Sequence, residues 1–431
     1  MEKNKVFIKL MAKNKTNLYS IIITYFILIM FGFIFFELSS NTALKNINNL
    51  DYALFTPISL FINVLDLIAL LVIVLCSLVL MEVYKGFIEK NLKENSIFRT
   101  CGYSSIRLSI LYCFVFIVIC IFILPFAIFG GYILTYILHF FLFKYLQINS
   151  SIYVIDNYIF IGIFLLTIVL ITWVTLFTIG YFYRKNLLQL LNEARSENKE
   201  SLPLIQISAK VHIFFFIIGW IDLIFSLLFN QLPISGIFLI CITLKKINLI
   251  ISNIMQNFFS KKNHITIVAI SECKYFLQKN SWFIYLYQIS TIILSYILIY
   301  MCYLQSDQII CLIAYTVCTI FLSSCLIYKF SLEIYKSVYV YNYCRFLGYS
   351  NDQILKIMKK TFSYILNFIF FIPTIFQIIL FSPQIFHGNS LTIPIIYILI
   401  LITIIYNIVR VVIYRYTNKN YKNYIRSRYY E

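Results

Sequence analysis

Charged residues are scarce in this sequence. Asp, Glu, Lys and Arg occupy 12% of the 431 positions, whereas hydrophobic residues occupy 61%, and the mean hydropathy is +0.87. A soluble domain carries about 25% charged residues, so the polar groups here are too few to cover a water-facing surface. This shortage excludes a soluble globular protein and predicts an integral membrane protein.

Several residue patterns that carry chemistry are also missing. The eleven Gly contain no G-x-x-x-x-G-K-[ST] sequence, so the chain is not expected to bind a nucleotide through a P-loop. The eleven Cys form no C-x-x-C pair, and most are expected to be small buried apolar side chains. The four His show no ligand spacing, so no metal site is predicted. Without a nucleophile–base pair either, an enzyme is not predicted.

Long apolar runs are what the sequence has instead. A membrane span needs about 20 predominantly apolar residues, and ten segments qualify. They are residues 18–38, 57–82, 108–129, 157–183, 212–230, 233–256, 281–301, 308–328, 361–381 and 392–413. The fold class predicted from them is an all-α polytopic membrane protein of about ten transmembrane helices.

The run from Leu108 to Phe143 is too long for one perpendicular crossing. Pro125 and the Gly130-Gly131 pair are expected to break it. We therefore expect residues 132–143 to lie in the outer interface and not to cross back.

Lys and Arg fall almost entirely on one side of this topology. With the N-terminus inside, 33 of the 35 lie in cytoplasmic segments, and only Lys45 and Lys144 lie outside. The net charge of +18 is therefore a topology signal, not a nucleic-acid footprint. We predict cytoplasmic N- and C-termini and a retained N-terminal signal anchor in a cell membrane.

Two cytoplasmic segments resemble each other. Residues 82–85 (EVYK) precede residues 99–104 (RTCGYS), and residues 333–336 (EIYK) precede residues 345–350 (RFLGYS). We call 99–104 the first corner and 345–350 the second corner. Gly suits a turn with positive φ and Ser suits a helix N-cap, so each corner is at least a helix-turn-helix junction. Because the intervals between the motifs differ by five residues, we assume an insertion in the first segment.

The repeat predicts two halves with the same orientation. Residues 1–200 would form the first four-span half, 201–260 a linker pair of spans, and 261–431 the second four-span half. Matched cytoplasmic corners are suited to docking a symmetric pair of soluble motor subunits.

These segments resemble the FtsX-like permeases of ABC transporters, and within them the ten-span bacitracin-exporter (BceB-like) type. Residues 97–104 and 343–354 are both similar to the family's "alGas…qi" segment, and residues 269–280 resemble the start of its second half. The resemblance implies that the corners couple to two copies of a separate ATP-binding subunit, which would hold ATP and Mg. The coupling residues would be Arg99, Gly102, Tyr103, Ser104, Arg345, Gly348, Tyr349 and Ser350. No cofactor is expected on this chain.

One departure from that family bears on the substrate. Bacitracin-type permeases carry a large extracytoplasmic domain between spans 7 and 8, and other FtsX-like permeases carry one between spans 1 and 2. Here the corresponding loops are about 302–307 and 39–55, too short for a domain. We therefore expect a substrate taken from the bilayer, either an amphipathic or antimicrobial peptide or a lipid-linked molecule.

Two other functions stay open. An ion-coupled secondary transporter would use Asp66 and Asp222 as its relay, since both are predicted to lie mid-span, where a carboxylate is costly. The same side chains would be interhelical glue if a hydroxyl group pairs with them. The second alternative is an ATPase-driven membrane anchor that signals to an extracytoplasmic partner.

Three further features are expected to be ordinary membrane structure. His139 should be a polar tip near the outer interface. Residues 184–199 should form an amphipathic helix on the inner surface. The tail at 415–430 interleaves Tyr with Lys and Arg, which favours anchoring at anionic headgroups.

Overall fold

The computed structural model describes residues 15–41, 64–146, 157–184, 209–228, 234–259, 264–300, 305–386 and 392–429. Within these ranges the chain forms α-helices joined by short turns. The helices are α1 (Lys15–Ser40), α2 (Val64–Lys90), α3 (Leu92–Thr100), α4 (Ser105–Leu146), α5 (Asn157–Arg184), α6 (Ala209–Leu228), α7 (Ile234–Phe259), α8 (His264–Lys279), α9 (Ser281–Tyr300), α10 (Gln305–Phe346), α11 (Asn351–Phe386) and α12 (Thr392–Tyr429).

Nine of the described helices are long and apolar enough to cross a membrane: α1, α2, α4, α5, α7, α9, α10, α11 and α12. The all-α polytopic fold is therefore confirmed. The segment predicted as the fifth span is helical, as α6, but is not among the nine. The 16-residue helix α8, which was not predicted, precedes α9 with only Asn280 between them. Most of the stretch 184–199 lies outside the described residues.

The predicted break in the third span is wrong. α4 is one helix of 42 residues that includes Pro125 and both Gly130 and Gly131. Pro and Gly are tolerated inside transmembrane helices where neighbouring helices support the backbone. A Cβ on Gly131 would lie 2.8 Å from the Cβ of Phe33 in α1, so the glycines mark a close helix crossing and not a turn. At 1.5 Å per residue α4 is about 63 Å long, roughly twice the hydrocarbon thickness.

The chain divides into two compact units, Met1–Leu202 and Pro203–Glu431. In the first unit α1 packs against α2, α4 and α5. Aromatic rings fill the spaces between these helices. Tyr84 of α2 meets Phe116 of α4 with centroids 5.5 Å apart, and Phe116 also meets Tyr25 of α1. All three side chains are at most 1% exposed, so this cluster is the core of the unit.

In the second unit α9 packs against α7, α10 and α11. Polar contacts tie α9 to its neighbours. Gln377 of α11 donates to Ser295 of α9 and to Tyr315 of α10, both at 2.8 Å, while Asn248 of α7 donates to Gln288 of α9 at 2.7 Å. Each of these side chains is buried. Interhelical hydrogen bonds of this kind hold helices together where lipid supplies no hydrophobic driving force.

Equivalent aromatic pairs lie at the same number of residues from the corner glycine in the two units. The Tyr84–Phe116 ring pair has its counterpart in Phe330 and Phe362, whose centroids are 5.2 Å apart. In both units the first ring lies 18 residues before the corner glycine and the second lies 14 residues after it. Tyr84 therefore corresponds to Phe330, not to Tyr335. Residues 82–85 and 333–336 are therefore similar in sequence but do not occupy equivalent positions in the two units. Because the equivalent rings lie at equal distances from the glycines, the assumed five-residue insertion is not needed.

The crossing of α6 and α7 brings backbone against backbone. A Cβ on Gly236 would lie 2.8 Å from both the backbone oxygen of Gly219 and the backbone nitrogen of Leu223. Such contacts involve backbone on both sides, so no side chain can turn away to relieve them.

We predict that Gly236→Ala forces α6 and α7 apart and lowers the free energy of unfolding by about 1–3 kcal/mol. Thermal melting of the purified protein in detergent measures the change. Gly180→Ala is the matched control, because a Cβ there has no atom within 4 Å, and it should match or slightly exceed the wild type. Equal melting temperatures for both variants would contradict the packing described for this hairpin.

Candidate functional site: two matched corners

The first corner ends α3 with a left-handed glycine. Gly102 has φ of +88°, its N–H donates to the Arg99 carbonyl at 3.0 Å, and the next N–H, of Tyr103, donates to the Phe98 carbonyl at 3.1 Å. These two bonds define a Schellman motif, which satisfies carbonyls that have no partner within the helix. The Phe98 and Tyr103 rings, 5.3 Å apart, close the motif with an apolar contact.

The second corner has the same backbone. Gly348 has φ of +89°, its N–H donates to the Arg345 carbonyl at 2.9 Å, and the Tyr349 N–H donates to the Cys344 carbonyl at 3.0 Å. A Cβ on Gly102 or Gly348 would meet no atom within 4 Å, so only the positive φ demands glycine. The turn chemistry expected from the sequence is confirmed in both corners.

Each corner then starts the next helix with a serine cap. Ser104 accepts from the Arg107 N–H, and Ser350 accepts from the Gln353 N–H, both at 3.3 Å. The Gln353 side-chain oxygen in turn accepts from the Ser350 N–H at 2.9 Å, which completes a capping box in the second corner. Both turns are therefore held by local hydrogen bonds.

The predicted coupling residues are not all on the surface. Gly102, Ser104, Gly348 and Ser350 are exposed, whereas Tyr103 is only 7% exposed. The most exposed apolar side chains of the second corner are instead Phe346 and Leu347, at 85% and 77%. In the first corner Ile97, just before the motif, is 61% exposed. The coupling role of these residues stays a prediction.

The two arginines make different contacts. Arg99 donates to the backbone oxygen of Phe182 in the last turn of α5 at 3.2 Å. Arg345 donates from Nε to the Asn351 side-chain oxygen at 3.0 Å and so stays within its own corner. The two corners have the same backbone conformation, but their arginines bind different groups.

The two predicted intramembrane carboxylates lie on different helices. Asp66 lies in the first described turn of α2, and the residues directly before Val64 lie outside the described ranges. Asp222 is mid-helix in α6, and its carboxylate accepts from the Ser235 hydroxyl of α7. This hydrogen bond joins α6 to α7 beside their close crossing, as expected if Asp222 serves to hold the two helices together.

The sequence reasoning missed a buried ionisable pair in the first unit. His139 was expected to be a polar tip, but it is 3% exposed on α4 and contacts the carboxylate of Glu37 on α1, which is 2% exposed. Asn41 donates to the other Glu37 oxygen at 3.3 Å. The signal was present, since an ionisable residue within an apolar run is a default candidate, but only the fold shows that Glu37 and His139 meet.

The described helices and their apolar character define a multi-pass α-helical membrane protein. Residues 67–187 match the family described as FtsX-like permease C-terminal, so the first unit carries an FtsX-like permease domain. The match spans α2 through α5 and includes the first corner with Gly102. No curated protein matches the chain.

We predict that Glu37→Leu and His139→Leu each destabilise the first unit by about 3–5 kcal/mol, because each removes the partner of a buried ionisable side chain. The double variant Glu37→Leu/His139→Leu leaves neither ionisable group buried without the other and should recover much of that loss. A double-mutant cycle of melting temperatures in nanodiscs measures the coupling. Strictly additive losses would show that the two side chains do not interact.

Proposed function

We propose that this chain is the membrane-spanning subunit of a bacterial ABC transporter, driven by two copies of a separate ATP-binding subunit that dock at the two corners. The FtsX-like domain supports this proposal, and it contains the first corner. The second corner repeats the same positive-φ turn, the same pair of turn bonds and the same serine cap. A repeated rigid turn gives two copies of one partner equivalent places to bind.

The observation that carries the proposal is the exposure of Phe346 and Leu347. The apolar span of α10 ends at Phe330, so Phe346 lies about 24 Å further along the helix. Large apolar side chains exposed at that distance from the hydrocarbon favour a protein partner over lipid. The excess of Lys and Arg in the segments predicted to be cytoplasmic supports a cytosolic partner.

The substrate proposed is an amphipathic peptide or lipid-linked molecule that is removed from the bilayer or exported. α9 and α10 are separated by only four residues, 301–304, which supports a route that needs no large outer domain. The outer third of α4 exposes aromatic side chains, among them Tyr136, Phe140 and Phe141, where an amphipathic molecule in the outer leaflet would meet the protein. A bacitracin-exporter type of permease and resistance to antimicrobial peptides are part of this proposal.

A proton-coupled secondary transporter is the second candidate. The Asp66–Asp222 relay has little support, because the Asp222 carboxylate already pairs with the Ser235 hydroxyl. The buried Glu37–His139 pair is the observation that favours an ion-coupled mechanism. Transport in liposomes without any ATP-binding subunit, lost in Glu37→Gln, would select this candidate.

Co-purification tests the main proposal. We expect a P-loop protein to come down with the wild-type chain at two copies per chain, with ATPase activity, when the membrane of the native host is solubilised in detergent. Gly102→Glu/Gly348→Glu should lose it, because each substitution puts a charged side chain on a positive-φ position at the centre of a docking turn.

Ser271→Glu is the matched control, since it adds the same charge at an exposed position of α8 outside both corners. It should keep the partner. Retention of the P-loop protein by the double corner variant would remove the corners as docking sites. A wild-type chain that purifies alone and still moves substrate would contradict the ABC assignment.

A further inference from the structure

The first corner is carried by a helix of its own. α3 runs from Leu92 to Thr100 and is separated from α2 by Asn91, whose φ of −95° and ψ of 19° depart from the helical values. Asn91 is fully buried and its side chain donates to the Phe87 carbonyl at 3.1 Å. The second corner, in contrast, ends α10, which is continuous over 42 residues. A displacement of the first corner therefore cannot pass along one unbroken helix.

Two hydrogen bonds fasten α3 to other spans instead. The Tyr112 hydroxyl of α4 donates to the Asn95 side-chain oxygen at 2.9 Å. Both residues are at most 1% exposed. Asn95 and Arg99 are four residues apart and so lie on one face of α3.

The second fastening is the bond from Arg99 to the Phe182 carbonyl, at 3.2 Å. This carbonyl lies in the last described turn of α5, so the bond ties α3 directly to α5. The rings of Phe182 and Tyr112 meet at 5.4 Å, so the two fastenings converge on one buried site.

The second corner has different residues at the same register. Ten residues after Gly102 stands Tyr112, and ten residues after Gly348 stands Met358, which has no hydroxyl. Met358 is also buried, at 2% exposed, so the position is structurally similar but chemically different. Arg345, the counterpart of Arg99, hydrogen-bonds Asn351 within the corner itself.

We propose that Asn95, Arg99 and Tyr112 form a clamp that makes α3 move as one body with α4 and α5, whereas the second corner transmits force through the unbroken helix α10. This proposal rests on the proposed function, in which an ATP-binding subunit displaces each corner. The clamp residues are positioning residues. Two matched corners would then drive their units by different mechanical connections.

Distance measurements between spin labels test the clamp. Cys101 is exposed one residue before Gly102, and Leu347 stands at the corresponding position before Gly348. Cys344, further from the second glycine, is buried, and burial with the nearby Glu272 carboxylate raises the pKa of its thiol. Native Cys101 and Leu176→Cys, on the exposed face of α5, form the first label pair in a Cys302→Ser background. Leu347→Cys and Ile408→Cys form the control pair, with Cys101→Ser added.

In the nucleotide-free chain we expect Tyr112→Phe and Arg99→Gln to broaden the distance distribution between positions 101 and 176. Arg99→Lys should restore much of the wild-type width, because it keeps a cationic donor near the Phe182 carbonyl. Arg345→Gln should leave the 347–408 distribution unchanged. An unchanged 101–176 distribution in both Tyr112→Phe and Arg99→Gln overturns the clamp.

The complex with its ATP-binding subunit gives the second measurement. Tyr112 is buried and cannot touch a docked subunit, so Tyr112→Phe should still co-purify with it. On trapping with ATP and vanadate, the 101–176 distance should stay constant in the wild type and shift in Tyr112→Phe. A shift in the wild type overturns transmission by the clamp. If no ATP-binding subunit associates with the wild type, the proposed function fails, and the nucleotide-free distances still decide whether the clamp exists.

Discussion

The hydrocarbon core of a bilayer offers no water to the backbone, so every N–H and C=O within it needs a partner inside the protein. The spanning segments meet this requirement as uninterrupted helices, even through Pro125 and Gly130-Gly131 in α4. The requirement returns at helix ends, where the last carbonyls lack intrahelical donors. The Schellman turns at Gly102 and Gly348 satisfy them in the two corners. The candidate docking sites are thus a consequence of how these helices must end.

Once the backbone is constrained in this way, the two units differ mainly in side-chain chemistry at shared positions. Gly131 and Gln377 both lie 29 residues after the corner glycine. Gly131 brings α4 against the backbone of α1, while Gln377 bridges to Ser295 and Tyr315. Equivalent positions therefore make different contacts in the two units. This difference is compatible with two similar units whose corners are connected differently, by the clamp in one and by the continuous helix α10 in the other.

The sequence predicts those features that depend on local physics. Hydropathy locates the spanning helices, and turn chemistry alone is enough to assign positive φ to Gly102 and Gly348. Prediction fails where tertiary context decides, since the break expected in α4 is a helix crossing. The Glu37–His139 pair joins residues about 100 positions apart, so no local pattern could reveal it. The tetrad at 82–85 shows how a short match can suggest a false register.

Cross-linking at the second corner tests the central claim most directly. A photoreactive phenylalanine analogue at Leu347, in living cells, should cross-link the chain to a P-loop ATP-binding protein identified by mass spectrometry. The same analogue at Leu176, on the exposed face of α5, serves as the control and should give lipid adducts only. Lipid adducts at Leu347 as well, with no protein partner, would show that this corner rests on the membrane and would contradict its role as a docking site.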